Sequence, residues 1–398
     1  MVSANSPAGP RSPQSTAHRS GQSRDALQAT TSGSIRPPQS SLSRCGQSPD
    51  AFPTISGEPG SSAPPAPHGD REEARRAAGA IDAVLAREQP RINAELRRHT
   101  ADLPEHARPL AEHLLLSGGK RLRPLLTLLT GRAFGCRDAG LLPLGAAVEM
   151  LHAATLLHDD ILDNAPLRRG RAAAHVLFGA APAVLAGDAM LAKALLLVSS
   201  FGDPRLTACV SEAVMHTAEG EIAEFARLRD TSLTHEDYVR IITGKTAWML
   251  RASCELGALR AGAGEEATRA AALFGLEAGI AFQIVDDVLD YYPCEETGKP
   301  KGGDLREGKC TPPLLLYLAS LPAEKAARLR AEFEGGRLGE ADIEALCGEI
   351  FAGGFAETAR DSAGIHLAGA ARALAVFPPS PERDLLDKIR HYILTRTA

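Results

Sequence analysis

The chain has 398 residues, 44% of them hydrophobic but only 4% aromatic, with a formal net charge of −5. The length allows one large domain or two ordinary ones, the Ala-, Leu- and Val-rich apolar complement favours helix over strand, and the charge excludes an evident nucleic-acid surface, so no nucleic-acid partner is expected. Seven cysteines without a CxxC pair exclude a disulfide framework or zinc site and read as reduced thiols of a cytoplasmic protein.

Residues 1–70 are rich in Ser, Pro, Gly, Gln and Thr and poor in large apolar residues. Such a segment cannot bury enough surface to offset its ordering entropy, so it reads as a disordered tail. Its scattered Arg and few acids also suit an organelle transit peptide, the lesser alternative because no amphipathic Arg-bearing helix is evident. From residue 71 to 398 the pattern is helical. Ile81, Val84 and Leu85 recur at helical spacing within "REEARRAAGAIDAVLAREQPRINAEL". "LPLGAAVEMLHAATLLHDDILDN" reads as one long helix with Pro143 near its start, and "GAAPAVLAGDAMLAKALLLVSSFG" as another ending at Gly202. "DPRLTACVSEAVMHTAEGEIAEFARL", "THEDYVRIITGKTAWMLRASCELGALRAG" and "ATRAAALFGLEAGIAFQIVDDVLDYY" follow, then four shorter helical stretches to the C-terminus. Gly, Pro and Asp mark the breaks. The nearest strand candidate is the short "AAHVLF". No apolar run of 18 residues is uninterrupted, so no transmembrane helix is expected. The expected architecture is all-α: a single large bundle of about ten helices around a central cavity.

Two stretches place acids inside oily helices. "LLHDDILDN" carries Asp159, Asp160 and Asp163, and "FQIVDDVLDY" carries Asp286, Asp287 and Asp290. Positions i, i+1 and i+4 fall in one sector of a helix, so each triplet shares a face. A single DDxxD is common on a solvated helix. Two copies with apolar flanks need cationic neutralisation, because unpaired carboxylates there are costly. Hard oxygen donors select Mg²⁺, with Mn²⁺ the alternative, and Mg²⁺ completes its shell with water and phosphate oxygens. Basic motifs supply the anion partners: "SGGKRLRP" (Ser117–Pro124), "APLRRGR" (Ala165–Arg171) and the Gly-rich "TGKPKGGDLREGK". Arg168 and Arg169 lie just past the first acidic triplet, the arrangement of a diphosphate site; Lys245, Thr246, Gln283, Lys299 and Lys309 are further candidates.

From about residue 75 onward the chain resembles a trans-isoprenyl diphosphate synthase. The resemblance rests on "GGKRLRP", "LHAATLLHDDILDNAPLRRG", "GKTA", "FQIVDDVLDY", "GDLREGK" and the terminal "YILTR", in order. The wording near the first motif is closer to medium- or long-chain polyprenyl synthases than to farnesyl synthases. The resemblance implies an isoprenoid-synthase bundle, several Mg²⁺ ions per site, and a homodimer. It implies that isopentenyl diphosphate is joined to an allylic diphosphate, with the product passing to a membrane. Both aspartate motifs would bind Mg²⁺ and the allylic diphosphate, which Arg168, Lys245, Lys299 and Lys309 would contact. Lys120, Arg123, His152 and Arg169 would hold isopentenyl diphosphate; His152 on its residues alone is equally a core histidine. Thr246 and Gln283 would face the developing cation, and Phe282 the isopentenyl unit. Leu151, Ala154 and Thr155, one to two turns before Asp159, would set chain length. The small size of Ala154 and Thr155 points to a medium- or long-chain product, roughly C30–C50, with C20 as runner-up and C15 the shorter limit.

The chain departs from the family at Glu224, where a Gln is usual, and at Pro312, while residues 333–355 match poorly and carry no functional reading. Three rival readings fit less well. A metal-dependent phosphohydrolase is suggested by "HDD" at His158–Asp160 but wants further metal-binding His residues. A terpene cyclase does not need a second diphosphate site. A silent partner subunit would show eroded motifs, and all six acids are present.

Overall fold

The computed structural model describes residues 68–293 and 301–396. The expectation for the N-terminal tail therefore lies, up to residue 67, outside the described residues, as does Lys299. The described chain is almost wholly helical, as its composition implies: α1 (His68–Ala101), α2 (Arg108–Leu115), α3 (Leu122–Ala133), α4 (Leu141–Leu162), α5 (Ala174–Phe178), α6 (Ala180–Ser199), α7 (Pro204–Ala226), α8 (His235–Ile242), α9 (Trp248–Arg260) and α10 (Glu265–Leu289). After residue 300 come α11 (Gly303–Glu307), α12 (Pro312–Ser320), α13 (Ala323–Glu334), α14 (Glu340–Ala352), α15 (Phe355–Leu374) and α16 (Pro381–Thr395). Several are a turn or two long, which is why helical spacing alone suggests fewer.

The helix ends follow local chemistry. Asp203 caps α7 by accepting from Arg205 N–H, with Pro204 at the first position, and Thr234 with Asp237 forms a reciprocal capping box on α8. Pro312, one of the two departures, starts α12, where a missing N–H costs nothing. "AAHVLF" is helical rather than extended, forming α5. The β-structure sits just before it: Leu167–Arg168 (β1) pairs antiparallel with Arg171–Ala172 (β2). Arg169 and Gly170 between them both have positive φ, 53° and 72°, the conformation a two-residue hairpin requires.

Two apolar cores run through the bundle. One gathers α2, α4, α6 and α7; the other gathers α10, α12, α15 and α16; α1 and α3 contribute to both. The wall between them is α9, which gives Met249, Ala252 and Leu256 to the first and Leu250, Cys254 and Ala258 to the second. Each aspartate motif lies at the C-terminal end of the central helix of one core. By length and apolar composition α4 and α6 would each reach across a membrane, although no uninterrupted run signals it. In this bundle α4 is mostly buried, whereas α6 is buried over only a third of its length.

Candidate active site

The first motif closes α4. Asp159 and Asp160 occupy its last turn and Asp163 is its C-cap. Asp160 is 1% exposed. Arg168, on the hairpin eight residues on, donates from Nε to Asp160 Oδ1 at 2.6 Å. The other oxygen, Oδ2, is buried with no hydrogen-bond partner. Burial, with the charges of Glu221 and Asp163, pushes Asp159 up to about 7 against the pull of Lys245 and Arg168. Asp163 is also raised by burial.

The second motif closes α10, with Asp290 as its C-cap. Asp287 accepts from Tyr238 Oη and Gln283 Nε2, both at 2.7 Å. Thr246 Oγ1 donates to Gln283 Oε1 at 2.6 Å, so Thr246, Gln283, Asp287 and Tyr238 form one chain. Burial pushes Asp287 up to about 7 despite those donors. Asp290 accepts from the N–H groups of Gly303 and Asp304 at 3.0 and 2.9 Å, which anchors α11 against it. Asp286 is the accessible member and accepts from Arg396 at 2.7 Å.

Two lysines link the motifs. Lys245 lies on a single π-helical turn, Thr243–Ala247, between α8 and α9. There the backbones cross so closely that a Cβ on Gly220 would stand 2.2 Å from Lys245 N. The crossing sets Lys245 Nζ between Glu221 at 3.0 Å and Glu224 at 2.6 Å. Glu224, the departure noted in the sequence, thus holds Lys245. Lys309 follows α11 and pairs with Glu307, while its charge acts on Asp163 across the site. Burial would lower both lysines, but Glu224 and its acidic neighbours hold them above the ordinary lysine range. Glu224, Lys245, Gln283, Asp287, Asp304 and Lys309 line one cleft.

The other basic motif builds a neighbouring cluster of cations. The loop before α3 carries Lys120, whose Nζ donates to Tyr392 Oη at 2.8 Å. Arg121 adopts φ 52° and is buried on Glu149 at 2.9 Å. Arg123 is held below its usual range by burial, and its Nε is buried without a partner. Arg169, at the hairpin turn, donates to Gly118 O. His152 faces these arginines; burial and then Arg123, Arg169, Arg168 and Arg121 hold it well below the ordinary histidine range, which favours the neutral ring with one N–H to donate. Phe282 lies under the Arg396 guanidinium, 4.4 Å from the ring centroid. On α4, Thr155 is part-exposed on the Asp159 side, whereas Leu151 and Ala154 are fully buried in the core shared with α6. His158 spends Nε2 on Val184 O at 3.1 Å, a tie to α6 that argues against a hydrolase metal ligand.

Comparison with known proteins decides what this arrangement belongs to. A family model described as polyprenyl synthetase matches residues 104–350. Octaprenyl diphosphate synthase of Escherichia coli is 34% identical over 317 residues, covering 79% of this chain and 98% of that one. The chain belongs to the polyprenyl synthetase family. Among solved members, a decaprenyl diphosphate synthase from Rhodobacter capsulatus superposes with a TM-score of 0.74 at 36% identity, over 82% of this chain and 99% of the other. A polyprenyl synthase from Caulobacter crescentus, complexed with calcium and isoprenyl diphosphate, gives 0.72 at 36% identity over 82% and 98%. Polyprenyl synthetases are prenyltransferases that use divalent metal ions, isopentenyl diphosphate and an allylic diphosphate.

Several residues of this synthetase's site were not singled out from sequence. Asp304, wholly buried and raised well above the carboxylate range by burial and by Asp287 and Asp290, stood within a quoted motif without a role. Glu149 did leave a signal, as an acid in the otherwise apolar first half of α4. Tyr238 and Glu221 left none, because their contacts cross between helices.

The donor set fits a hard divalent ion. Asp160 Oδ2 lacks a partner, Asp159 and Asp287 are raised chiefly by burial, and every candidate donor is oxygen. Among the described residues no three potential ligands form a protein-only cage. Mg²⁺ suits such a site, since it takes one or two carboxylates and completes its shell with water and phosphate.

Proposed function

We propose that this chain is a homodimeric medium- or long-chain polyprenyl diphosphate synthase of the cytoplasm. It would condense isopentenyl diphosphate head-to-tail onto an allylic diphosphate, with Mg²⁺ as the metal. The observation that carries this reading is the pairing of two carboxylate triplets, each with one buried member, Asp160 at the end of α4 and Asp287 at the end of α10, around Lys245 and Lys309.

Asp159, Asp160, Asp163, Asp286, Asp287 and Asp290 would hold Mg²⁺, which when bound would neutralise the leaving diphosphate. Arg168, Lys245 and Lys309 bind the allylic diphosphate by charge-assisted hydrogen bonds, exchanging their present carboxylate partners for phosphate oxygens. Lys120, Arg123, Arg169 and the N–H of neutral His152 bind the isopentenyl diphosphate in the adjoining basic cluster. Gln283 and Thr246 turn oxygens toward the cation formed as the allylic C–O bond breaks. No side-chain nucleophile is required: the isopentenyl double bond attacks and the departed diphosphate takes the proton. The growing tail runs back along α4 past Thr155. The octaprenyl and decaprenyl relatives support a medium- or long-chain product, roughly C30–C50 as the small residues above Asp159 suggest.

An unpartnered apolar stripe supports the dimer. Leu185 and Leu196 on α6 are 66% and 65% exposed, and Met215, Ile222 and Phe225 on neighbouring α7 are comparably open. A second copy would cover both helices. Incubation with radiolabelled isopentenyl diphosphate and an allylic primer tests the reaction. Mg²⁺-dependent incorporation into an extractable, linear prenyl diphosphate is expected. Free phosphate or a cyclised hydrocarbon without incorporation would replace the reading with a hydrolase or a cyclase.

A further inference from the structure

Between α7 and α8 lies a residue the proposed reaction does not use. Arg229 has φ 62°, a conformation that glycine takes freely and other residues avoid. Its N–H donates to Gly308 O at 2.7 Å. The same peptide unit continues into Lys309, whose N–H donates to Asp304 O at 2.8 Å. One peptide is therefore held at both ends, and Asp304 is itself tied by its N–H to Asp290. The backbone of Lys309 hangs between the second aspartate motif on one side and Arg229 on the other.

The Arg229 side chain runs between two glycine turns. A Cβ on Gly308 would stand 2.8 Å from Arg229 Cγ, and one on Gly336 would stand 3.3 Å from its guanidinium carbon. Both glycines have positive φ, 83° and 62°. Nη1 donates to Phe333 O at 3.2 Å. The loop is fixed to the same turn a second time, by Thr231 Oγ1 to Glu334 and by Arg330 Nη1 to Thr231 O at 2.7 Å. The α13–α14 turn, whose sequence matches the family poorly, thus reaches the site through this loop.

We propose that Arg229 is a positioning residue for Lys309, transmitting the support of the α13–α14 turn to the lysine that binds the allylic diphosphate. This rests on the assignment of Lys309 made above. A side chain that fixes a charged group within the site acts on the substrate that group binds, and displacement by an ångström costs roughly tenfold to a hundredfold. The test is steady-state kinetics of the wild type, R229A, R229Q, K309A and R229A/K309A, with each substrate varied in turn. R229A should raise the allylic KM about tenfold or more and leave the isopentenyl KM within about twofold. R229Q, which keeps the stem and a donor for Phe333 O, should recover part of the loss. On the K309A background R229A should add less than about twofold, because coupled residues are not additive. Undiminished multiplication of the K309A defect, a parallel rise in both KM values, or no change would overturn the proposal. An unchanged allylic KM in K309A would instead remove the assignment of Lys309, and the proposal with it. Should R229A not fold, R229Q and R229Q/K309A carry the same comparison.

Discussion

Asp160 and Asp287 solve the burial of a carboxylate in different ways. Asp160 takes one arginine on one oxygen and leaves the other bare, whereas Asp287 is furnished by Tyr238 and Gln283. Replacing Asp159 or Asp287 by Ala should cut turnover at least about a hundredfold, since neutralising the leaving group contributes several kcal/mol. Far-UV circular dichroism should stay unchanged, and near-wild-type turnover at ordinary Mg²⁺ would refute the two-motif site. Tyr238→Phe should leave Asp287 in place but loosely held, so activity should need about tenfold more Mg²⁺, measured by metal titration. The acids were legible from their i, i+1, i+4 spacing alone. Tyr238, Glu221 and Arg229 were not, because each acts on a residue from a different stretch of chain, and no local pattern encodes that.

Among the elements, α1 and α3 are joined by a charge cluster away from the chemistry. Glu88 is buried and receives Arg132 at 2.8 Å, Arg91 at 2.8 Å and Arg87 at 3.0 Å. Burial alone would raise it, but Arg132 and the others bring it down to about 2 from an ordinary 4.5. Its folded value is the depressed one, so its contribution is complete above about pH 4.5 and lost as pH falls toward 2. Glu88→Gln should cost about 3 kcal/mol in urea unfolding at pH 7, because three guanidinium groups lose their carboxylate. It should also flatten the decline in stability between pH 4.5 and 2; an unchanged acid limb would show the cluster to be unimportant. Most helices were visible from their 3.6-residue spacing and their Gly, Pro and Asp breaks. The π turn at "GKTA" was not, because the close crossing at Gly220 and Gly244 dictates it. "AAHVLF" was ambiguous because six residues are too few to separate the two periodicities.

The whole molecule sets two apolar cores against α9 and brings their acidic ends within reach of Lys245 and Lys309. Its all-α class followed from composition, whereas the partition into two cores is a matter of tertiary packing that no single stretch records. The exposed stripe on α6 and α7 belongs to this scale. Leu185→Glu with Phe225→Glu should convert a dimer to a monomer in sedimentation velocity, while a wild-type monomer would refute the proposed covering copy. On the proposed reaction, the allylic chain grows from the Asp159 end of α4 back along that helix. Mass spectrometry of the product tests it most directly, comparing the wild type with Thr155→Phe, whose ring would stand one turn above Asp159. The expected result is a wild-type series differing by single isoprene units and ending at roughly C30–C50, shortened toward C15 in the variant. A wild-type product of C15 alone, or an identical series from Thr155→Phe, would contradict it.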